Sequence, residues 1–330
     1  MVAAPCPPPR ARRLMPITPR PTALCPPPRP PPPRVPPSGV RRMSVITRFA
    51  PSPTGLLHLG HAHSALIAER RAREAGGRFL LRLEDIDPGR CRPDHAAAIE
   101  EDLAWLGLRW DGPVRVQSRH LPEYRAVLDA LAARGLLYPC FCTRSDILRE
   151  VERAAAAPHG PDGAPLYPGT CRALSADERA SRLAAGERHA LRLDMARALA
   201  ATPGPLLYEE EGEGAVPCHP ERFGDAVLAR KDAPASYHLC VTHDDAAQGV
   251  TLVTRGEDLR PATELHRLLQ ALMGWPAPRH AHHALLADAA GRRLSKREGA
   301  PSLRALRERG ATPAEVRAMV QEAARGVGRA

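Results

Sequence analysis

Residues 48–61, RFAPSPTGLLHLGH, bring backbone amides, two imidazoles and a helix start together within fourteen positions. That combination suits a phosphate. Pro51 and Pro53 impose an extended entry, Thr54-Gly55 turns the chain, and Gly60 leaves room beside His58 and His61 for an anion to approach the main chain. An HxGH pattern alone also suits a capped surface helix with two solvated histidines. Far downstream, residues 293–297 (RLSKR) form a basic loop that by itself signals little. A third set is sulfur: Cys140, Cys142 and Cys171 bracket a Pro/Gly-rich loop and can close on one Zn²⁺, because tetrahedral coordination needs four ligands carried on flexible turns. Chemistry alone nominates His159 as the fourth ligand, and three reduced, unliganded cysteines are the bland alternative.

The elements around these residues alternate as in an α/β protein. A short strand over residues 44–50 feeds the phosphate turn, and residues 62–74 are rich in Ala, Leu, Glu and Arg up to the stop at Gly76-Gly77. Residues 78–84 (RFLLRLE) alternate Phe79, Leu81 and Leu83 with Arg82 and Glu84, the period of a strand with one drier face. Glu84 closes that strand at its carboxyl end, where open α/β sheets bind ligands. Asp85 and Asp87 then enter a Pro-Gly loop as turn and capping residues. A helix after Pro93 carries Ile99, Leu103 and Leu106 on one face, and another near Pro122 carries Tyr124, Leu128 and Leu131. Trp105 and Trp110 read as packing residues, aromatics being only 4% of the chain. The acidic run Glu209, Glu210, Glu211 and Glu213 reads as a solvated loop. Strands are expected at residues 226–230 and 250–253, with a helix starting at Tyr237 between them and another opened by Pro261. Arg255 falls at a carboxyl edge, with a structural ion pair to Glu257 or Asp258 as the alternative to a ligand-binding role.

With 330 residues and 43% hydrophobic content the chain can build a large core, and no apolar run approaches the ~20 residues that span a bilayer. The net charge of +10 resides mostly in residues 1–43, which hold eight Arg, no acid and sixteen of the 37 prolines. That tail reads as disordered, and Met43 offers an alternative start. Beyond it, 39 basic residues face 37 acidic ones, so RNA binding would need a local patch. The cysteine spacing fits no secreted scaffold, and a reducing cytoplasm is the expected compartment.

Taken as a pair, HLGH and RLSKR resemble the signatures of class I aminoacyl-tRNA synthetases. RFAPSPTGLLHLGH followed by residues 82–87 (RLEDID) resembles the glutamyl branch, over residues 45–303. The resemblance implies an α/β, Rossmann-like class I catalytic fold split by a zinc-containing insertion. It implies these segments: the extension 1–43, a first catalytic half 44–138, a tRNA-contacting insertion 139–222, a second half 223–300 and a helical end 301–330. It also implies ATP with Mg²⁺ as substrate, His58, Gly60, His61, Ser295 and Lys296 at the nucleotide, and His58, His61 and Lys296 in catalysis. Arg48, Phe49, Ala50, Pro51, Ser52, Glu84, Tyr237 and Arg255 would line an L-glutamate pocket, with arginine reading the γ-carboxylate and Glu84 facing the ammonium. The signature loop departs from KMSKS at Arg293 and Arg297, where charge is kept.

Glutamyl-Q members of the family show Cys-x-Cys, twenty-four residues and then Tyr-x-x-x-Cys, which this chain matches with Tyr167. That likeness favours Cys140, Cys142, Tyr167 and Cys171 as the zinc set, with His159 in reserve. Only 34 residues follow Lys296, too few for an anticodon domain. Both features resemble enzymes that attach glutamate to the queuosine base of tRNA(Asp), acting as monomers. A short enzyme charging the 3′ end of tRNA(Glu) and a silent RNA-binding paralogue are the alternatives.

Overall fold

A computed structural model of the chain describes residues 44–153, 159–161, 163, 165–286 and 301–327. The tail 1–43 and the loop with Ser295 and Lys296 lie outside these. Strand β1 (Ile46–Phe49) leads through the phosphate turn into helix α1 (Leu59–Glu74), which returns to β2 (Arg78–Leu83), parallel to β1 with Phe49 opposite Leu81. The return is tight. Gly76 has φ +63°, where a side chain is strained, and a Cβ on Gly77 would fall 1.8 Å from the Val45 carbonyl oxygen, so Gly77 accepts no side chain without rebuilding the turn. Helix α2 (Pro93–Trp105) buries Ile99 and Leu103, and the chain then forms β3 (Arg115–Val116), parallel to β2, and α3 (Leu121–Ala133).

From here the pairing changes hand. Strand β4 (Leu137–Cys140) is followed by α4 (Arg144–Arg153), α5 (Ala176–Ala184), β5 (Ala190–Leu193), α6 (Met195–Ala200) and the hairpin β6 (Leu207–Glu210)/β7 (Gly214–Pro217). Strand β8 (Val227–Ala229) closes an antiparallel sheet with β4 and β5. Helix α7 (Tyr237–Ala247), β9 (Leu252–Gly256), α8 (Ala262–Met273) and β10 (Arg279–His283) restore parallel pairing, β10 lying between β9 and β6. Helices α9 (Leu303–Glu308) and α10 (Pro313–Val327) follow. The α8 stripe Leu265, Leu268, Leu269 and Leu272 is buried as its spacing predicts.

The two parallel sheets meet at β1 and β9. Thr251 donates its amide to the Ile46 carbonyl at 3.0 Å and accepts from the Ile46 amide through Oγ1 at 2.8 Å. The order β3-β2-β1-β9-β10 therefore places a switch point between β1 and β9, where a crevice opens beyond the carboxyl ends. No helix among the described residues is long and apolar enough to cross a membrane.

Two expectations need correction. Arg82 does not stand on a wet face: β2 lies between β1 and β3, residues 79–83 are all buried, and Arg82 is fully enclosed among carboxylates. Alternation fails because a central parallel strand is covered on both faces. The acidic run is solvated only in part: Glu209, Glu211 and Glu213 are exposed, but Glu209 and Glu210 belong to strand β6. Glu210 is buried at the end of β6, Glu211 pairs with Arg71 and Glu213 pairs with Arg260.

Candidate active site

The phosphate turn is organised by its histidines. His58 caps α1, its Nδ1 accepting the Gly60 amide at 3.1 Å, while the His61 Nδ1 accepts the His58 amide at 3.2 Å. Because each Nδ1 is an acceptor, each neutral ring carries its proton on Nε2, the form that donates to an anion. The helix starts at Leu59, earlier than composition suggested, because the imidazole does the work of a Ser or Asp cap. No acidic residue occupies its first turn, so the positive end of the helix is uncompensated.

Next to the turn lies a buried charge cluster. Arg48 on β1 is gripped by Asp245 of α7 through Nε at 2.9 Å and Nη2 at 3.3 Å, and the same carboxylate takes Arg82 Nη1 at 2.8 Å. Burial opposes ionisation of Asp245, but the attraction of Arg48 and Arg82 wins and holds its pKa down at about 2. Glu84 lies 3.3 Å from Arg82 Nη2, and burial raises its pKa despite Arg82 and Arg48. Adjacent Asp244 is fully buried against Arg115, Gln117 and Tyr124.

Arg255, at the end of β9, differs from these. It is buried, yet its partners are Thr263 Oγ1 at 2.6 Å, His282 Nε2 at 3.2 Å and His266 Nδ1 at 3.4 Å, and among the described residues it makes no ion pair. The structural alternative, a pair with Glu257 or Asp258, does not form. Burial lowers the pKa of this guanidinium, opposed by Tyr237. Arg48 and Arg82 thus share Asp245, with Glu84 and Asp244 also paired to Arg82, whereas Arg255 makes no ion pair among the described residues.

A cleft of about 470 Å³ opens over this wall and the turn. Arg48, Phe49, Ala50, Pro51, Ser52, His58, Gly60, His61, Glu84, Tyr237 and Arg255 all line it, from four separate stretches of sequence. Leu286 lines it too, and Ser302 bridges to His58 with Leu303 donating to the Leu57 carbonyl at 2.8 Å. The described residues on either side of the RLSKR loop therefore abut the phosphate turn. Sequence reasoning missed Asp245, Thr263, His266 and His282. Only the acidic pair at 244–245, set within the otherwise poorly charged helix YHLCVTHDDAA, gave a signal.

The sulfur set forms a second centre. Cys140, Cys142 and Cys171 have their sulfurs within 4.8 Å of one another, with Cys142 and Cys171 at 3.5 Å, and none is in a disulfide. The Tyr167 hydroxyl is 3.5 Å from the Cys142 sulfur and accepts the Cys171 amide at 2.7 Å. His159 is exposed and outside this group. Ligand atoms around a tetrahedral zinc with bonds of about 2.3 Å lie about 3.5–3.8 Å apart, so the donor spacing and chemistry fit that ion.

Comparisons with known proteins bear on the chain as a whole. The family model for "tRNA synthetases class I (E and Q), catalytic domain" matches residues 44–326. A "Glutamyl-Q tRNA(Asp) synthetase" of Rhodobacter capsulatus is 49% identical over 288 residues, covering 84% of this chain and 99% of that protein. One of the same name from Nocardia farcinica is 44% identical over 83% of each chain. "Glutamate–tRNA ligase 2" of Nitrosococcus oceani is 40% identical, but only 58% of it is matched. The crystal structure of a glutamate tRNA ligase from Elizabethkingia meningosepticum in complex with its amino acid superposes with a TM-score of 0.66 at 30% identity, covering 78% of this chain and 52% of that one.

Proposed function

The chain belongs to the class I tRNA synthetases of the glutamyl and glutaminyl (E and Q) family, and from that membership we propose that it activates L-glutamate with ATP and transfers it to the queuosine base of tRNA(Asp). It is an aminoacyl-tRNA synthetase-type ligase. One observation carries the choice of amino acid: Arg255 is buried at the cleft with only uncharged partners among the described residues. A γ-carboxylate supplies the missing anion, and Glu84 is left for the ammonium.

The reaction needs positioning and positive charge rather than a protein nucleophile. An oxygen of the glutamate α-carboxylate attacks the α-phosphorus of ATP, the bond to the β-phosphate oxygen breaks, and pyrophosphate leaves. His58 and His61 donate through Nε2 to the phosphates above the helix end, and Lys296 with Ser295 serves the β and γ groups. Mg²⁺ enters with the nucleotide. A hydroxyl of the queuosine cyclopentenediol then attacks the mixed anhydride, forming the ester and releasing AMP. The choice of acceptor draws support from the extent of likeness, since the glutamyl-Q relatives are matched over most of their own length and the glutamate–tRNA ligase over little more than half.

Labelled glutamate, ATP and tRNA from cells with and without queuosine test the acceptor. Label should appear on the modified nucleoside only with queuosine-containing tRNA. Label on the 3′-terminal adenosine, independent of queuosine, would replace this reading with charging of tRNA(Glu).

In the second centre Cys140, Cys142, Tyr167 and Cys171 would hold one Zn²⁺, which closes the turns after β4 into a rigid knuckle. The purified protein should carry one zinc per chain, and Tyr167→Phe should lower zinc affinity on the order of tenfold in a chelator competition. Equal retention by the variant would remove Tyr167 from the set.

A further inference from the structure

Glu210 and His282 do not line the cleft, yet they end on the residue that defines it. Glu210 closes β6 of the hairpin added to the sheet beside β10, and both its oxygens hold His282: Oε1 accepts the backbone amide at 2.9 Å and Oε2 meets Nδ1 at 2.7 Å. The opposite ring nitrogen, Nε2, lies 3.2 Å from Arg255 Nε. Both side chains are nearly fully buried, at 3% and 4% exposure. We infer that Glu210 and His282 are positioning residues that fix the orientation of Arg255 for the incoming carboxylate. The inference rests on the glutamate reading above.

The argument is one of donors and acceptors. Arginine nitrogens only donate, so the His282 Nε2 must be a bare acceptor, and the proton must sit on Nδ1, facing Glu210. Glu210 selects that tautomer because a carboxylate accepts and cannot donate. Burial and the charge of Arg255 keep His282 neutral, with a pKa held down to about 4 against the pull of Glu210. A second neutral ring works the same way on another arm: His266 Nδ1 accepts from Arg255 Nη1 at 3.4 Å, and its Nε2 lies 3.1 Å from His238 Nδ1. Thr263 holds the third arm. Three of the five guanidinium N–H groups are spent on uncharged acceptors, which orient the group without neutralising it. A carboxylate in direct contact would hold Arg255 equally well but would compete with the substrate. Placing the acid one imidazole away avoids that competition.

The test is glutamate-dependent ATP–pyrophosphate exchange by wild type, His282→Ala, His282→Gln and Glu210→Gln. For His282→Ala the KM for glutamate should rise about tenfold or more, with kcat and the KM for ATP within about twofold. His282→Gln, which keeps an acceptor, should recover part of the loss. Glu210→Gln, whose amide can donate to Nδ1 and invert the tautomer, should also raise the glutamate KM. An unchanged glutamate KM in folded His282→Ala, or an equal rise for ATP, overturns the inference and leaves the glutamate reading standing. A wild type with no glutamate-dependent exchange overturns the glutamate reading itself. Should His282→Ala fail to fold, the imidazole ¹⁵N resonances of the wild type decide, since a protonated Nε2 overturns the assignment and a protonated Nδ1 with a bare Nε2 supports it.

Discussion

Replacing Arg255 with Gln is expected to raise the glutamate KM in ATP–pyrophosphate exchange about 10³-fold, with the KM for ATP within about threefold. The size follows from what the substitution leaves behind. A γ-carboxylate brought into the wall would lose the cleft arginine that makes no ion pair among the described residues, and a desolvated anion without a charged partner forfeits several kcal/mol. Arg255→Lys should recover little, because an ammonium cannot reproduce a planar fork held on three arms by Thr263, His266 and His282. A glutamate KM unchanged in Arg255→Gln would show that the γ-carboxylate is read elsewhere, Arg48 being the only other cleft arginine among the described residues.

Lys296→Ala should act on rate instead of affinity. Loss of one transition-state donor lowers adenylate formation about 10²- to 10³-fold while leaving glutamate binding within about twofold. Lys296 lies outside the described residues, but Leu286 before it and Ser302 after it both stand at the cleft. Single-turnover adenylate formation with glutamate titrated separately distinguishes the two effects, and an undiminished rate would remove Lys296 from the chemistry.

The sequence announced local devices well and distant pairings poorly. His58, Gly60 and His61 act within one turn of chain, so their spacing alone pointed to a helix start, which the capping hydrogen bonds show. The stripe of α8 and the stop at Gly76 were equally legible, each depending on a residue's own backbone or its i+3 and i+4 neighbours. Arg82 was misread because its exposure depends on which strands flank β2, and its carboxylate Asp245 lies 163 residues away. Glu210 was misread for the same reason: an acidic run looks solvated until a partner 72 residues on, His282, supplies a proton for it. Local periodicity carries no record of such partners. Arg255 was placed correctly at a strand end, but its want of an anion became visible only with Thr263, His266 and His282 around it.

The way His58 and His61 terminate α1 constrains which residues can occupy those two positions at all. Lysine would bring a full charge to a triphosphate, but an ammonium has three donors and no acceptor, so it could not receive the Gly60 or His58 amide. Asparagine would receive those amides through a shorter arm. Imidazole alone among the neutral side chains offers an acceptor and a donor on opposite edges of one rigid ring, so a single residue can tie down the start of a helix and greet an anion above it.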